Sequence, residues 1–369
     1  MSQLRVAVIG AGHLGKIHAR LLSTIEQTDL VAVADPNQFA RHEISDLLDV
    51  RVVDNYKKIR GSIDAAVVAT PTRFHFDVAA DLLQAGIHCL IEKPLSDSVA
   101  DARALVELAE QNNCVVSVGH CEQFNAAIEE ARKEIGTAKF VQTARMSGYT
   151  FRSTDIGVVQ DLMIHDIDLV NSMFPGELVD VRANGLSVFG KNEDIAQARL
   201  QFSCGGVANI TASRCSFVPE RSMQIFGTDS FAKVNLANQS IDLVHIPSWV
   251  RNREFDFDST TLEQQAFIRD NLFSRVLTQQ QTEVEPINAI LAEQKDWLEA
   301  IRFGNQPRVG VEQGKQAVEI AQSVLDAIDA HCWSFNEPQM TGSLPMLPPK
   351  LAMPDMLPLE LQKQLRKAA

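Results

Sequence analysis

Val6-Ala7-Val8-Ile9-Gly10-Ala11-Gly12-His13-Leu14-Gly15 decides the fold of this chain. Four consecutive apolar residues read as a buried β-strand. The glycines that follow read as the turn into a helix beginning near His13. Gly10 makes the tight turn, Gly12 lets the backbone approach a pyrophosphate, and Gly15 lets helix and strand pack closely. The start of such a helix offers unpaired N–H groups and positive potential to phosphates. Gly10, Gly12, His13, Leu14 and Gly15 therefore form a candidate dinucleotide loop. A tight turn without a ligand is the competing reading of the glycines alone.

The next strand, Leu30–Ala34, ends in Asp35, twenty residues beyond Gly15. An acid at that point hydrogen-bonds the adenine ribose of NAD and repels the extra phosphate of NADP. Arg41 could accommodate that phosphate, so NAD is favoured and NADP stays open. A third strand, Asp64–Ala69, stops at Thr70-Pro71-Thr72, and an alanine-rich helix runs on to Gly86. The strand Ile87–Ile91 then closes on Glu92-Lys93-Pro94, followed by a helix over Ser98–Gln111 and a strand over Cys114–Val118. This alternation predicts an α/β Rossmann domain, a doubly wound parallel sheet. Thr70 and Lys93 fall at carboxyl ends of strands, the edge where such sheets bind ligands. A solvated loop lysine is the other reading of Lys93 taken alone.

The chain is 369 residues long, enough for two domains, and is 45% hydrophobic and 22% charged, as globular proteins are. A formal net charge of −13 argues against a nucleic-acid-binding surface. The apolar stretch near the N-terminus is too short to span a membrane and no small-residue cleavage site follows it, which predicts a cytoplasmic protein. The six cysteines have neither metal-type nor disulfide-framework spacing and are expected to be reduced. Among them Cys121 reads as a small buried hydrophobe.

Beyond Phe124 the pattern changes. Lys139–Ser147, Leu178–Phe189, Ile195–Phe202, Val207–Arg214 and Ser222–Phe226 read as successive strands of a largely antiparallel sheet in an α+β domain. Within it Asp161-Leu162-Met163-Ile164-His165-Asp166-Ile167-Asp168 reads as helical. A spacing of four puts Asp161 and His165 on one helical face, and Asp168 can approach that face too. A neutral histidine can take a proton from a hydroxyl while a carboxylate orients its ring. A surface salt bridge and a metal centre are the alternatives, and no second histidine has ligand spacing for the latter.

Helices over Ile287–Phe303 and Glu312–His331 complete the two domains. After Trp333, prolines and methionines interleave, so long regular elements are excluded. That segment is either a disordered tail or an arm laid over a partner subunit. The expected organisation is a Rossmann domain over 1–124, a substrate and oligomerisation domain over 125–333, and a Pro/Met-rich tail over 334–369.

Gly10-x-Gly12-x-x-Gly15-Lys16-x-His18, Thr70-Pro71-Thr72-x-x-His75 and Glu92-Lys93-Pro94 together resemble the glucose–fructose oxidoreductase / inositol dehydrogenase (Gfo/Idh/MocA) family. The resemblance implies an NAD(P)-dependent oxidoreductase that passes a hydride between a sugar hydroxyl carbon and nicotinamide. It implies that Thr70, Pro71 and His75 lie along the cofactor, His75 as a packing or capping residue, and that Glu92 and Lys93 flank the nicotinamide. It places Lys93, Asp161 and His165 on the catalytic lysine, aspartate and histidine. His165 would be the general base, Lys93 would stabilise charge on the oxygen, and Asp161 would fix the histidine and touch the substrate. No metal is implied. The second domain is implied to be open-faced, its exposed face serving a homodimer or homotetramer.

Two stretches depart from the family's pattern. Gln123 and Ala126 stand where many relatives carry arginine and proline, and Gly157-Val158-Val159-Gln160 lacks a common glycine pair. Tyr149–Asp155 and Asp161–Leu169 are most similar to a subgroup that oxidises the 3-hydroxyl of UDP-N-acetylglucosamine, for which Arg145 and Arg152 could bind phosphate oxygens. For each arginine a surface ion pair is the competing reading. Other possibilities are an inositol or free-sugar dehydrogenase, a reductase of a tetrapyrrole or dihydrodiol, and an inactive cofactor or sugar-nucleotide sensor.

Overall fold

The computed structural model describes residues 3–151, 155–333 and 341–345. The first half alternates β1 (Leu4–Ile9), α1 (His13–Leu22), β2 (Thr28–Ala34), α2 (Gln38–Leu47), β3 (Val52–Val53), β4 (Ala65–Val68), α3 (His75–Gln84), β5 (His88–Glu92), α4 (Val99–Gln111) and β6 (Val116–Gly119). Its six strands lie in the order β3-β2-β1-β4-β5-β6 and every pairing is parallel. Helices cover both faces, which explains why Val6, Val8 and Ala65 to Val68 are wholly buried. The order reverses between β1 and β4. Gly10 and Thr70 lie just past the ends of those two strands, at the switch point where dinucleotides bind.

Helix starts differ in a telling way. Ser98 caps α4 by accepting from the Asp101 N–H at 3.1 Å, and Asn37 caps α2 by accepting from the Phe39 N–H at 2.9 Å. By contrast α1 begins on Gly12 with no side-chain cap.

The second half contains α5 (Ala126–Glu134), β7 (Ala138–Met146), α6 (Ile164–Met173), β8 (Leu178–Ser187), β9 (Ile195–Phe202), β10 (Val207–Ser213), β11 (Glu220–Gly227), β12 (Ser230–Asn235), β13 (Ser240–His245), α7 (Ser248–Arg251), α8 (Leu262–Asp270), β14 (Thr278–Thr282), α9 (Ala289–Phe303), α10 (Val311–Ala330) and β15 (Leu344–Pro345). Nine strands among the described residues form one sheet in the order β14-β13-β12-β11-β7-β10-β9-β8-β15. Only β7–β10 and β8–β15 run parallel. On β9 Ala196, Ala198, Leu200 and Phe202 are buried while Gln197, Arg199 and Gln201 are exposed. One face is thus packed by α5, α6 and α10 and the other lies open.

The chain then crosses back. Trp297 of α9 is fully buried beside Val6, Val8 and Leu90 of the first sheet. The Val118 N–H donates to Val309 O at 3.0 Å just before α10 begins. A single cut at Phe124 therefore does not describe the packing, because α9 belongs spatially to the first sheet. Of the Pro/Met-rich segment, Leu344 and Pro345 pair with Leu186 and Ser187, and the Trp333 indole donates to Gly342 O at 2.9 Å. Leu344 and Pro345 thus lie against the chain's own sheet; residues 334–340 and 346–369 lie outside the described residues.

The segment leading to Asp161 is clamped by the β8–β9 connection. The Val158 N–H donates to Glu193 O at 2.9 Å and the Val159 N–H to Glu193 Oε1 at 3.0 Å. Asp194 holds Arg214 at 2.7 Å, and Arg214 donates to Ile156 O at 2.9 Å. A Cβ on Gly157 would sit inside the Glu193 carboxylate, so a side chain there must displace the group that accepts from the Val159 N–H. Gly157→Ala is expected to destabilise the fold by about 1–3 kcal/mol. Gly61→Ala, where a Cβ meets nothing, should stay within about 0.5 kcal/mol. Urea denaturation of both variants checks this; equal stabilities would contradict the clamp.

Candidate active site

At the glycine loop, Gly10 has a positive φ of 103° and a Cβ there would strike Ala69 O. A Cβ on Gly15 would strike Gly10 O, so the third glycine serves close packing. A Cβ on Gly12 would meet nothing within 4 Å, which leaves open backbone beside the uncapped start of α1, with His13 and Leu14 in its first turn. These features fit a pyrophosphate. Asp35 Oδ2 accepts from the Ala11 N–H at 2.7 Å and Oδ1 from the Asn37 N–H at 2.7 Å. The acid is therefore fixed at the loop, as a ribose contact requires. Arg41 is engaged elsewhere, donating to Asp35 O and Pro36 O at 2.7 and 2.9 Å.

Further along the same edge, Thr70 Oγ1 is buried without a partner. Pro71, which follows it, is exposed. The His75 ring lies between Thr70 O and Pro94 O, 2.8 Å from each. Burial lowers its pKa, so the neutral ring donates to one carbonyl at a time and braces the two loops. Glu92 is likewise a brace. Its carboxylate accepts from His18 Nε2 at 2.8 Å, and His18 Nδ1 faces the Gln294 amide at 2.8 Å. Burial works to raise the Glu92 pKa, but the His18 hydrogen bond and neighbouring positive charge bring it below the usual value. Glu92 stays ionised beneath Lys93.

Lys93 Nζ donates to Asp161 O at 2.6 Å and lies 3.4 Å from Asp161 Oδ1. The Lys93–Pro94 peptide is cis. This contact joins the edge of β5 to the second domain. His165 lies near enough for the lysine to act on it: burial first, then the charges of Lys93 and Arg145, hold its pKa well below that of ordinary histidine. The ring is neutral, and its Nδ1 is buried without a partner.

The spacing of four predicts Asp161 and His165 stacked on one helical turn, and the structure differs. Val159–Met163 is a π-helical turn, wider than 3.6 residues, and the regular α6 starts only at Ile164. Asp161 turns to Lys93, and no hydrogen bond between Asp161 and His165 occurs among the described residues. Asp168 also goes elsewhere. It accepts from Gln123 Nε2 at 2.6 Å and lies 4.0 Å from His120 Nδ1. Arg132 donates in turn to Gln123 Oε1 and, at 2.8 Å, to Ser172.

Arg145 is a correction. The sequence suggests a phosphate contact or a surface ion pair, yet the residue is 4% exposed. Its guanidinium is held by Asp166 at 2.8 Å and Glu122 at 2.9 Å. Burial opposes its charge, but the two carboxylates outweigh burial and raise its pKa. It neutralises buried acids next to His165 and has little left to offer a ligand. Arg152 lies outside the described residues.

Two groups escape the motif reading. His120, one residue beyond β6, is fully buried. Glu293 of α9 is buried with Oε1 unpartnered, and burial, then Glu92 and Asp168, push its pKa well up. Glu293 comes from the far end of the chain and carries no motif that would have flagged it. His120 could have been found as a histidine at the carboxyl end of a parallel strand. Cys121, expected to be buried, is half-buried, and burial of its thiol, then Glu293, raises the thiol pKa well above the ordinary value.

Residues 4–120 match an oxidoreductase family with an NAD-binding Rossmann fold, and residues 122–232 match the GFO/IDH/MocA C-terminal domain. A UDP-N-acetylglucosamine 3-dehydrogenase from Acidithiobacillus ferrooxidans is 37% identical over 246 residues, 66% of this chain and 78% of that protein. The chain belongs to the Gfo/Idh/MocA family. It is an NAD-dependent oxidoreductase. A solved structure of UDP-N-acetylglucosamine 3-dehydrogenase from the same organism superposes with a TM-score of 0.77 at 31% identity, covering 89% of this chain and 99% of that one. A scyllo-inositol 2-dehydrogenase (NAD(+)) from Bacillus subtilis is 26% identical over 248 residues, 62% of this chain and 72% of that protein.

Asp35→Ala is expected to lower kcat/KM for NAD by about 10- to 100-fold, the loss of a hydrogen bond to a charged group. It should also raise the NADP-to-NAD ratio, since the repelling carboxylate is gone. Steady-state kinetics with both cofactors checks this; an unchanged ratio would mean that Asp35 serves only the loop.

Proposed function

We propose that this protein is an NAD-dependent dehydrogenase of a nucleotide sugar, oxidising the 3-hydroxyl of UDP-N-acetylglucosamine. The observation that carries the chemistry is the meeting of Lys93 and Asp161 at 2.6 Å beside a neutral His165, at the ligand-binding edge of the first sheet. The 37% identity to a UDP-N-acetylglucosamine 3-dehydrogenase supports the substrate. Bound NAD supplies the hydride acceptor. His165, kept unprotonated by burial and by the Lys93 charge, takes the hydroxyl proton. Lys93 donates to the same oxygen and stabilises its developing negative charge. Asp161 holds the ammonium in place and contacts the sugar. Arg152 is the candidate contact for the nucleotide's phosphates.

We further propose a homodimer or homotetramer formed through the open sheet face, supported by the half-buried row of Phe140, Phe226 and Phe231 on β7, β11 and β12, whose neighbouring rings lie 5.6 Å apart. Cys89, Cys114, Cys121, Cys204 and Cys215 are free thiols, which suits the reducing cytoplasm. Among the described residues no helix is long and apolar enough to cross a membrane.

Purified protein with NAD should form NADH with UDP-N-acetylglucosamine and not with myo-inositol, scyllo-inositol or glucose. Turnover with the free polyols alone would sink the nucleotide-sugar reading. His165→Ala should lower kcat by about 10²- to 10⁴-fold, the usual range for a general base. Unchanged turnover in that variant would remove His165 from the chemistry. Light scattering that found only monomer would contradict the assembly.

A further inference from the structure

Histidines that are buried in this protein generally have partners. His18 engages Glu92 and Gln294, and His75 lies between two carbonyls. His120 and His165 differ. Both nitrogens of His120 and Nδ1 of His165 are buried with no hydrogen-bond partner. The two rings face one another edge-on, with centroids 6.4 Å apart at 87°. Orphaned buried nitrogens cost free energy unless something completes them. Both rings lie close enough to Lys93 for its charge to act on them.

A carboxylate stands behind one of these rings. Asp168 Oδ2 lies 4.0 Å from His120 Nδ1, a separation that can tighten when a site fills and closes. The carboxylate is kept ready by Gln123 at 2.6 Å, with Arg132 behind the glutamine. His165 has no such partner: its surroundings are Lys93, Arg145 and His120 itself. A proton placed on His165 therefore has strong reason to leave.

We propose that His120, with Asp168 behind it, is a second acid–base pair of this site, receiving from His165 the proton removed from the substrate hydroxyl. This rests on the dehydrogenase reading given above. The alcohol oxygen gives its proton to the lone-pair nitrogen of His165 as the C–H electron pair departs as hydride to the nicotinamide. His165 then releases the proton on its other nitrogen to His120, directly or through one bridging water. His120 becomes an imidazolium against the Asp168 carboxylate, and the proton passes to solvent when product leaves. Charge is conserved at each transfer, and no further reactant is needed.

The groups facing His120 are Asp168 and His165 from α6 and Glu92 and Lys93 from the end of β5. Burial lowers its pKa, Asp168 and Glu92 raise it and Lys93 lowers it. Glu293 is close enough to Glu92 and Asp168 for their charges to raise its own pKa. Removing the Asp168 charge removes support for the imidazolium, so the His120 pKa must fall.

The test is a ¹⁵N-histidine NMR titration of the NAD-loaded protein, with His120→Gln, His165→Gln and Asp168→Asn, alongside pH–rate profiles with UDP-N-acetylglucosamine. The signal lost in His120→Gln should titrate at higher pH than the one lost in His165→Gln. Asp168→Asn should move the His120 midpoint down by about one pH unit or more. In turnover, His120→Gln should lower kcat by about tenfold or more with KM little changed, and should shift the acidic limb to lower pH. An unmoved midpoint in Asp168→Asn overturns the pair. So does a His120→Gln enzyme with a raised KM and an unaltered limb, which would make His120 a binding group only. If UDP-N-acetylglucosamine is not turned over by the wild type, the substrate reading fails while the titration still decides the pair. If His120→Gln does not fold, elimination using His165→Gln and the isosteric Asp168→Asn identifies the signal.

Discussion

The contact between Lys93 Nζ and Asp161 O, at 2.6 Å, is the constraint on which the rest of the site depends. It joins the carboxyl edge of a parallel sheet to the start of a helix in the other domain. One side of the contact is fixed by Glu92, which is held by His18, and His18 in turn by Gln294. The other is fixed by Glu193, which gathers the backbone just before the π-helical turn. A lysine on a flexible stem becomes a directed donor only because both ends are tied.

Charge explains much of the surrounding architecture. Glu92, Asp166 and Asp168 are buried, and an isolated buried carboxylate is costly. Asp166 is met by Arg145, and Asp168 by Gln123 with Arg132 behind it. Burial, then the charges of Glu92 and Asp168, push the Glu293 pKa well up. Here the glutamine passes the positive field of Arg132 to Asp168 without bringing a full charge to the site. The histidines are the groups left over, and their unpartnered nitrogens mark where a substrate and a proton must be accommodated.

Much of the fold was legible in the sequence because it rests on local rules. Continuous apolar strands and the three glycines specify the parallel sheet and its switch point, and Ser98 marks the start of α4 within a residue. Strands β12 to β14 escaped. Thr278-Gln279-Gln280-Gln281-Thr282 is wholly polar and becomes a strand only by pairing with β13 at the sheet edge, which no periodicity records. The crossing of α9 back onto the first sheet is also a tertiary fact, visible only once Trp297 is seen beside Val8. In the site, Lys93 was legible from its strand end. The partners of Asp161 and Asp168 were not, because a π-helical turn changes which residues share a face. Arg145 likewise read as a phosphate contact or a surface ion pair and proved to be the buried counter-ion of two acids.

The most direct measurement is a crystal structure of the protein with NAD and UDP-N-acetylglucosamine bound together. The account predicts the sugar 3-oxygen within hydrogen-bond distance of both Lys93 Nζ and a nitrogen of His165, with the C3 hydrogen turned to the nicotinamide ring. A sugar seated away from Lys93 and His165, or a reacting carbon turned from the nicotinamide, would contradict it.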